Sequence, residues 1–212
     1  MNILKEFRDG HERFKRLKFR ENEERFKRLV EEGQNPKALF IGCSDSRVMP
    51  AMITGCGPGD LFIVRNIGNF VPPFEPDNDF HSTAAAIEYA STVLEVSDIV
   101  ICGHSDCGAI KACFQEHHAT QENIHTVKWL QLGMKARDMS IEALPDSTLD
   151  ERREFAEKIS VLTQLDNIMS YPAVRRRVEN GTLFLHGWYY DLREGQIYYY
   201  DESATQFKKM GE

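Results

Sequence analysis

Residues 81–102 read HSTAAAIEYASTVLEVSDIVIC, and this stretch decides the fold. Its first part, His81 to Val96, has the composition and length of a helix. Its last part, Asp98–Cys102 (DIVIC), is short, apolar and rich in β-branched residues, as a strand should be. Two earlier runs have the same character: Ala38–Cys43 (ALFIGC) and Leu61–Arg65 (LFIVR). Continuous hydrophobicity of this kind suits strands covered on both faces, as in a parallel sheet. Strand 61–65, the helix and strand 98–102 then make a β-helix-β unit, for which a right-handed crossover is expected.

Outward from that unit, helical patterns are expected at 107–117, 123–137, 148–170 and 172–180. Thr182–Asp191 and Gln196–Asp201 read as strands around Arg193-Glu194-Gly195, an antiparallel hairpin at the sheet edge. The stretch Asn69–Asp79, with Pro72, Pro73 and Pro76, reads as a loop within a domain. Residues 2–32 carry Phe7, Phe14, Leu17, Phe26, Leu29 and Val30 at helical spacing. They predict two amphipathic helices with a break near Lys18 to Glu21, ending at Gly33 before Pro36. The apolar stripe is a packing face, and an arm crossing onto a second subunit would use it. The expected architecture is therefore α/β: a mostly parallel central sheet with flanking helices, an N-terminal helical arm and antiparallel edge strands. At roughly 100–200 residues per domain, 212 residues suggest one domain, with the arm over 1–33 and the core over 34–212.

Composition narrows the function. Lys and Arg number 26 against 33 Asp and Glu, a formal charge of −7. That disfavours a general nucleic-acid binder, which needs a basic footprint. No apolar run approaches the roughly 20 residues of a membrane span. The opening MNILKEFRDG lacks the apolar stretch of a secretory signal, so a cytoplasmic location is expected. Five cysteines, an odd number, argue against a disulfide scaffold.

Two segments carry the chemistry, each at the carboxyl end of an expected strand, where open α/β sheets place their ligands. The first is Cys43-Ser44-Asp45-Ser46-Arg47 and the second is His104-Ser105-Asp106-Cys107-Gly108. If their strands are neighbours, Cys43, His104 and Cys107 converge despite the sequence gap. Two thiolates and an imidazole suit zinc, and three protein ligands leave one tetrahedral position open, the pattern of a catalytic site. One zinc ion per chain is expected. Zinc, two thiolates and a neutral His sum to a formally neutral site. Such a site should acidify a bound water less than three histidines do, which places its working range at mildly alkaline pH. Asp45 is placed to orient the nucleophile, and Arg47 to hold Asp45 ionised through a bidentate pair.

With CSDSR at 43–47, RNIGN at 65–69 and HSDCGA at 104–109, the sequence resembles the β-class carbonic anhydrases, from about Gln34 to Tyr200. The plant-like branch is the closer match. The resemblance implies reversible hydration of carbon dioxide to bicarbonate at a zinc held by Cys43, His104 and Cys107, with Asp45 and Arg47 as the catalytic dyad. It implies that Gln34 offers its amide at the substrate site, often across a subunit interface. It further implies that Phe62, Ile67 and Tyr89 line an apolar pocket, and that the backbone N–H of Gly108 contacts bicarbonate. A homodimer or larger homo-oligomer follows. In some bacterial members a Trp three residues before the first ligand Cys works with an Arg and a Tyr in a non-catalytic bicarbonate site. Here those places hold Phe40, Arg65 and Tyr190.

Other candidates have plainer readings. Cys56, Cys102 and Cys113 match no ligand position and read as core or helix-face thiols. His117 and His118 end a helix and favour its negative pole. His81 begins a helix, His125 lies within one, and His186 reads as a satisfied strand residue. Lys208-Lys209 reads as a solvated tail. Three alternative functions stay open: hydrolysis of carbonyl sulfide or carbon disulfide at the same zinc, a non-catalytic zinc-binding regulator, and a Cys-His hydrolase using a Cys43 thiolate.

Overall fold

The computed structural model describes residues 3–77 and 79–211. Six strands form one sheet: β1 (Ala38–Cys43), β2 (Leu61–Asn66), β3 (Asp98–His104), β4 (Phe184–Asp191), β5 (Gln196–Asp201) and β6 (Gln206–Lys209). Their lateral order is β2-β1-β3-β4-β5-β6. The first four run parallel, and β5 and β6 add antiparallel at one edge. The architecture is the expected α/β one, with β1 inserted between the two strands of the β-helix-β unit.

Alternation along the strands divides the core between the two faces of the sheet. Leu39, Ile41, Ile99 and Ile101 pack on one face with Ile87 of α4 (Ser82–Thr92), Val161 of α7 (Leu149–Ile168) and Val174 of α8 (Pro172–Glu179). Each such fully buried aliphatic side chain contributes about 1.5–3 kcal/mol relative to exposure. On the opposite face Phe40, Val100 and Cys102 pack with Ile53 of α3 (Pro50–Thr54) and with Trp188. The central strands β1 and β3 are buried along nearly their whole length, as their composition predicts. β2 is not. It alternates between half-buried and exposed residues, and Ile63 is 42% exposed. It lies at the sheet edge, where the side-chain layer that covers neighbouring Phe40 stops short of Ile63.

Several boundaries differ from the sequence reading. The helix expected over 107–117 is only α5 (Gly108–Cys113), and the imidazole of His117, beyond its end, donates to the Ala112 carbonyl at 2.9 Å. That contact is the favourable one expected of His117 at the negative pole of a helix. The helix expected over 123–137 runs on as α6 (Ile124–Ala143) until Leu144 and Pro145. The helix expected to reach Val96 ends at Thr92, and Glu95, at φ +50°, turns the chain into β3. Lys208-Lys209 is not a free tail. It belongs to β6, where Lys208 pairs with Asp201 at 2.6 Å.

The arm comprises α1 (Ile3–Phe14), a wider turn over Lys15–Phe19, and α2 (Glu23–Glu32). Asn22 (φ −117°) breaks it, one residue past the expected span. No described residue of α1 or α2 is buried, and Ile3, Leu4 and Phe7 are all more than half exposed. α2 is tied to the body by Arg25 on Asp60 at 2.5 Å and by Leu29 over Gly59. A Cβ on Gly59, whose φ is +85°, would come within 2.7 Å of Leu29. No helix among the described residues is long and apolar enough to cross a membrane.

Candidate metal centre

Because β1 and β3 are adjacent and parallel, their carboxyl ends release two loops side by side. Cys43 is the last residue of β1, His104 the last of β3, and Cys107 precedes α5. All three are buried, and their donor atoms lie within 4.8 Å of one another. Nδ1 of His104 bonds the Ser105 carbonyl at 2.9 Å, so the ring proton sits on Nδ1. Nε2 is buried with no hydrogen-bond partner. A buried imidazole nitrogen without a hydrogen-bond partner, facing two sulfurs, fits a divalent metal that takes nitrogen and sulfur ligands, above all zinc.

The thiols are not equivalent. A hydrogen bond from Cys107 brings Cys43 down to about 4 against the opposing effect of burial, with His104 and the Asp45 N–H helping. The same contact, with burial, pushes Cys107 well up. The contact therefore favours the charge on Cys43 and the proton on Cys107. Burial opposes a proton on His104, yet the facing Cys43 outweighs it and raises the imidazole.

Asp45 turns its carboxylate onto Arg47. Arg47 Nε donates to Oδ1 at 2.9 Å and Nη2 to Oδ2 at 2.7 Å, the bidentate geometry expected. The pairing holds Asp45 well below the usual carboxylate range and raises Arg47. Arg47 Nη1 also reaches across to Asp106 Oδ2 at 2.8 Å, which joins the two loops. Asp106 sits in the left-handed region at φ +62°, a conformation Asp tolerates better than most residues. Its other oxygen takes Lys111, and the two cations hold it at about 2. Arg65 adds a third brace, donating to the carbonyls of Cys43 at 2.9 Å and Asp45 at 2.6 Å.

The other expected site residues are more scattered. Phe62 stacks on Tyr89, with ring centroids 5.8 Å apart and planes at 30°. Ile67 and Tyr89 are 49% and 44% exposed, so these rings form a surface wall rather than a closed pocket in one chain. Gly108 is exposed at the start of α5, and Gln34 is exposed between α2 and β1. Phe40 is fully buried, edge-on to Trp188, with centroids 6.1 Å apart. Cys102 and Cys113 are core thiols that burial pushes up to about 12 and about 11, whereas Cys56 lies half-buried in the loop before β2. His81 bonds Asp77 at 2.8 Å, and His186 bonds Asp98 at 2.8 Å, the satisfied strand role expected of it.

The sequence reading passed over Asp106, Lys111 and Glu157 as parts of this region. The first two sit in or one turn beyond HSDCGA, so their proximity was legible. Glu157 is not legible that way. It lies on α7, 50 residues after Cys107, and its Oε1 accepts from the Cys107 N–H at 2.9 Å. Burial raises this carboxyl, although the Cys107 N–H and the Tyr189 hydroxyl oppose that.

Comparison with known proteins agrees with this geometry. The profile of the family described as carbonic anhydrase matches residues 38–197. A carbonic anhydrase of Synechocystis sp. is 38% identical over 178 residues, which is 84% of this chain. The chain spans 64% of that relative's length. The solved structure of the beta-carbonic anhydrase CcaA superposes with a TM-score of 0.90 at 36% identity, covering 99% of this chain and 100% of that one. One of two tetrameric beta-carbonic anhydrases from Sordaria macrospora gives 0.80 at 31% identity, covering 100% of this chain and 98% of that one. By profile, by relatives and by fold alike, the chain belongs to the β-class carbonic anhydrases.

Proposed function

We propose that this chain is a zinc-dependent carbonic anhydrase that interconverts carbon dioxide with bicarbonate and a proton. One observation carries the reading: the convergence of Cys43, His104 and Cys107 with His104 Nε2 left as a bare, buried donor. Zinc held by these residues supplies a Lewis acid that lowers the pKa of water enough to make a nucleophile for carbon dioxide. Asp45, ionised and fixed by Arg47, orients that nucleophile by accepting a hydrogen bond from it, and the same pairing keeps the carboxylate away from the donor set. The Gly108 N–H donates to bicarbonate. Phe62, Ile67 and Tyr89 give an uncharged substrate an apolar wall, and the Gln34 amide provides its polar contact.

The deciding experiment is stopped-flow hydration of carbon dioxide, with a metal count, before and after chelation. About one zinc per chain is expected, with activity lost on chelation and restored by zinc. Activity that survives complete metal removal would refute the zinc mechanism and favour a Cys43 thiolate.

The arm supports a homo-oligomer. Ile3 and Phe7 present exposed apolar surface, and Gln34 follows directly on the arm. A dimer or larger is expected by light scattering at micromolar concentration. A fully active monomer would overturn this reading.

A further inference from the structure

Glu157 is a carboxylate with 4% exposure that takes no part in the chemistry described above. It reaches from the middle of α7 toward the loop between β3 and α5. Oε1 accepts the Cys107 N–H at 2.9 Å, and Oε2 accepts the Tyr189 hydroxyl at 3.0 Å. Tyr189, on β4, is itself 2% exposed. The fold makes room for this approach. Gly103 stands where α7 crosses β3, and a Cβ there would fall 2.7 Å from Val161 and 3.4 Å from the Glu157 carbonyl.

Cys107 is the residue before the first turn of α5 and has no side-chain cap of its own. Its N–H is buried with it, and a buried N–H without an acceptor is costly. The acceptor comes from another helix, and its second oxygen is tied to another strand. Two neutral donors from two elements thus fix a single carboxylate, which fixes the backbone of one sulfur donor. Cys107 cannot rotate away from Cys43 and His104 without breaking that chain of contacts.

We propose that Glu157 is a positioning residue for Cys107: through the Cys107 N–H, and locked by Tyr189, it sets how tightly the three donors hold their metal. This rests on the reading of Cys43, His104 and Cys107 as the ligand set. Partners that orient metal ligands typically account for 10–100-fold in metal affinity.

The test is titration of the metal-free full chain with Co2+ alone, following the thiolate-to-cobalt charge-transfer and visible bands, beside the melting temperature of each metal-free variant. Glu157→Leu, which leaves the Cys107 N–H without an acceptor, should weaken cobalt binding about 10–100-fold and alter the bands. Glu157→Gln should recover most of that affinity, because its carbonyl oxygen can accept the Cys107 N–H while its NH2 donates to the Tyr189 oxygen. Wild-type affinity and bands in a folded Glu157→Leu chain would overturn the proposal, since a purely structural role lowers the melting temperature alone. If that variant does not fold, Tyr189→Phe decides: a smaller loss of affinity in the same direction supports the role, and an unchanged affinity overturns it. A wild-type chain without thiolate-to-cobalt bands would overturn the ligand set itself, a separate outcome.

Discussion

A Cys107→Ser chain is expected to retain little zinc and almost no hydration activity. The hydroxyl fits the space of the thiol, so the fold should survive. It does not ionise near neutral pH, however, and so withdraws one of two anionic sulfur donors from a buried set of three. His104 Nε2 and Cys43 alone cannot complete a tetrahedral site. The loss of activity should exceed about a thousandfold, roughly 4 kcal/mol of transition-state stabilisation. Elemental analysis and stopped-flow rates check it, with circular dichroism to verify folding. Full zinc occupancy in the folded variant would sink the assignment of Cys107 as a ligand.

Arg47→Ala should behave differently: zinc retained, hydration depressed about a hundredfold in kcat/KM, or roughly 2.7 kcal/mol. The Arg47 side chain makes two of the three hydrogen bonds that this residue gives the Asp45 carboxylate, the third being its backbone N–H at 3.0 Å, and it bridges to Asp106 on the second loop. With only that backbone bond left, the Asp45 carboxylate can turn to compete for the metal. Asp106 keeps Lys111 as a partner, so the second loop should hold its shape. The contrast between the two variants separates holding the metal from orienting the nucleophile. Wild-type rates in Arg47→Ala, at full zinc content, would remove the dyad from the mechanism.

Much of this architecture is local information, and local information is readable in a sequence. ALFIGC and DIVIC are short, apolar and β-branched because their strands are sealed between layers, and the structure buries them as that composition requires. The CSDSR and HSDCGA motifs put chemistry-bearing side chains directly after those strands. The pairing of Asp45 with Arg47 spans two residues, so one turn of chain decides it. Where local signals were weak, the reading slipped. LFIVR looks as apolar as the other strands yet lies at the sheet edge, and exposure there depends on which strand ends next to it. Lys208 and Lys209 read as a solvated tail because an edge strand needs no apolar pattern, only a free partner, which β5 supplies.

The sequence by itself determined the class of fold and the Asp45–Arg47 ion pair, since each depends on residues within one strand, one helix or one turn. Only the tertiary structure decided that β1 inserts beside β3, and hence that Cys43 meets His104 and Cys107. Strand order is chosen by the packing of whole layers rather than by any single segment. The same holds for Asp106 on Arg47 and for Glu157 beneath Cys107. A buried N–H must find an acceptor, but nothing in its own stretch of chain says which distant helix will supply one.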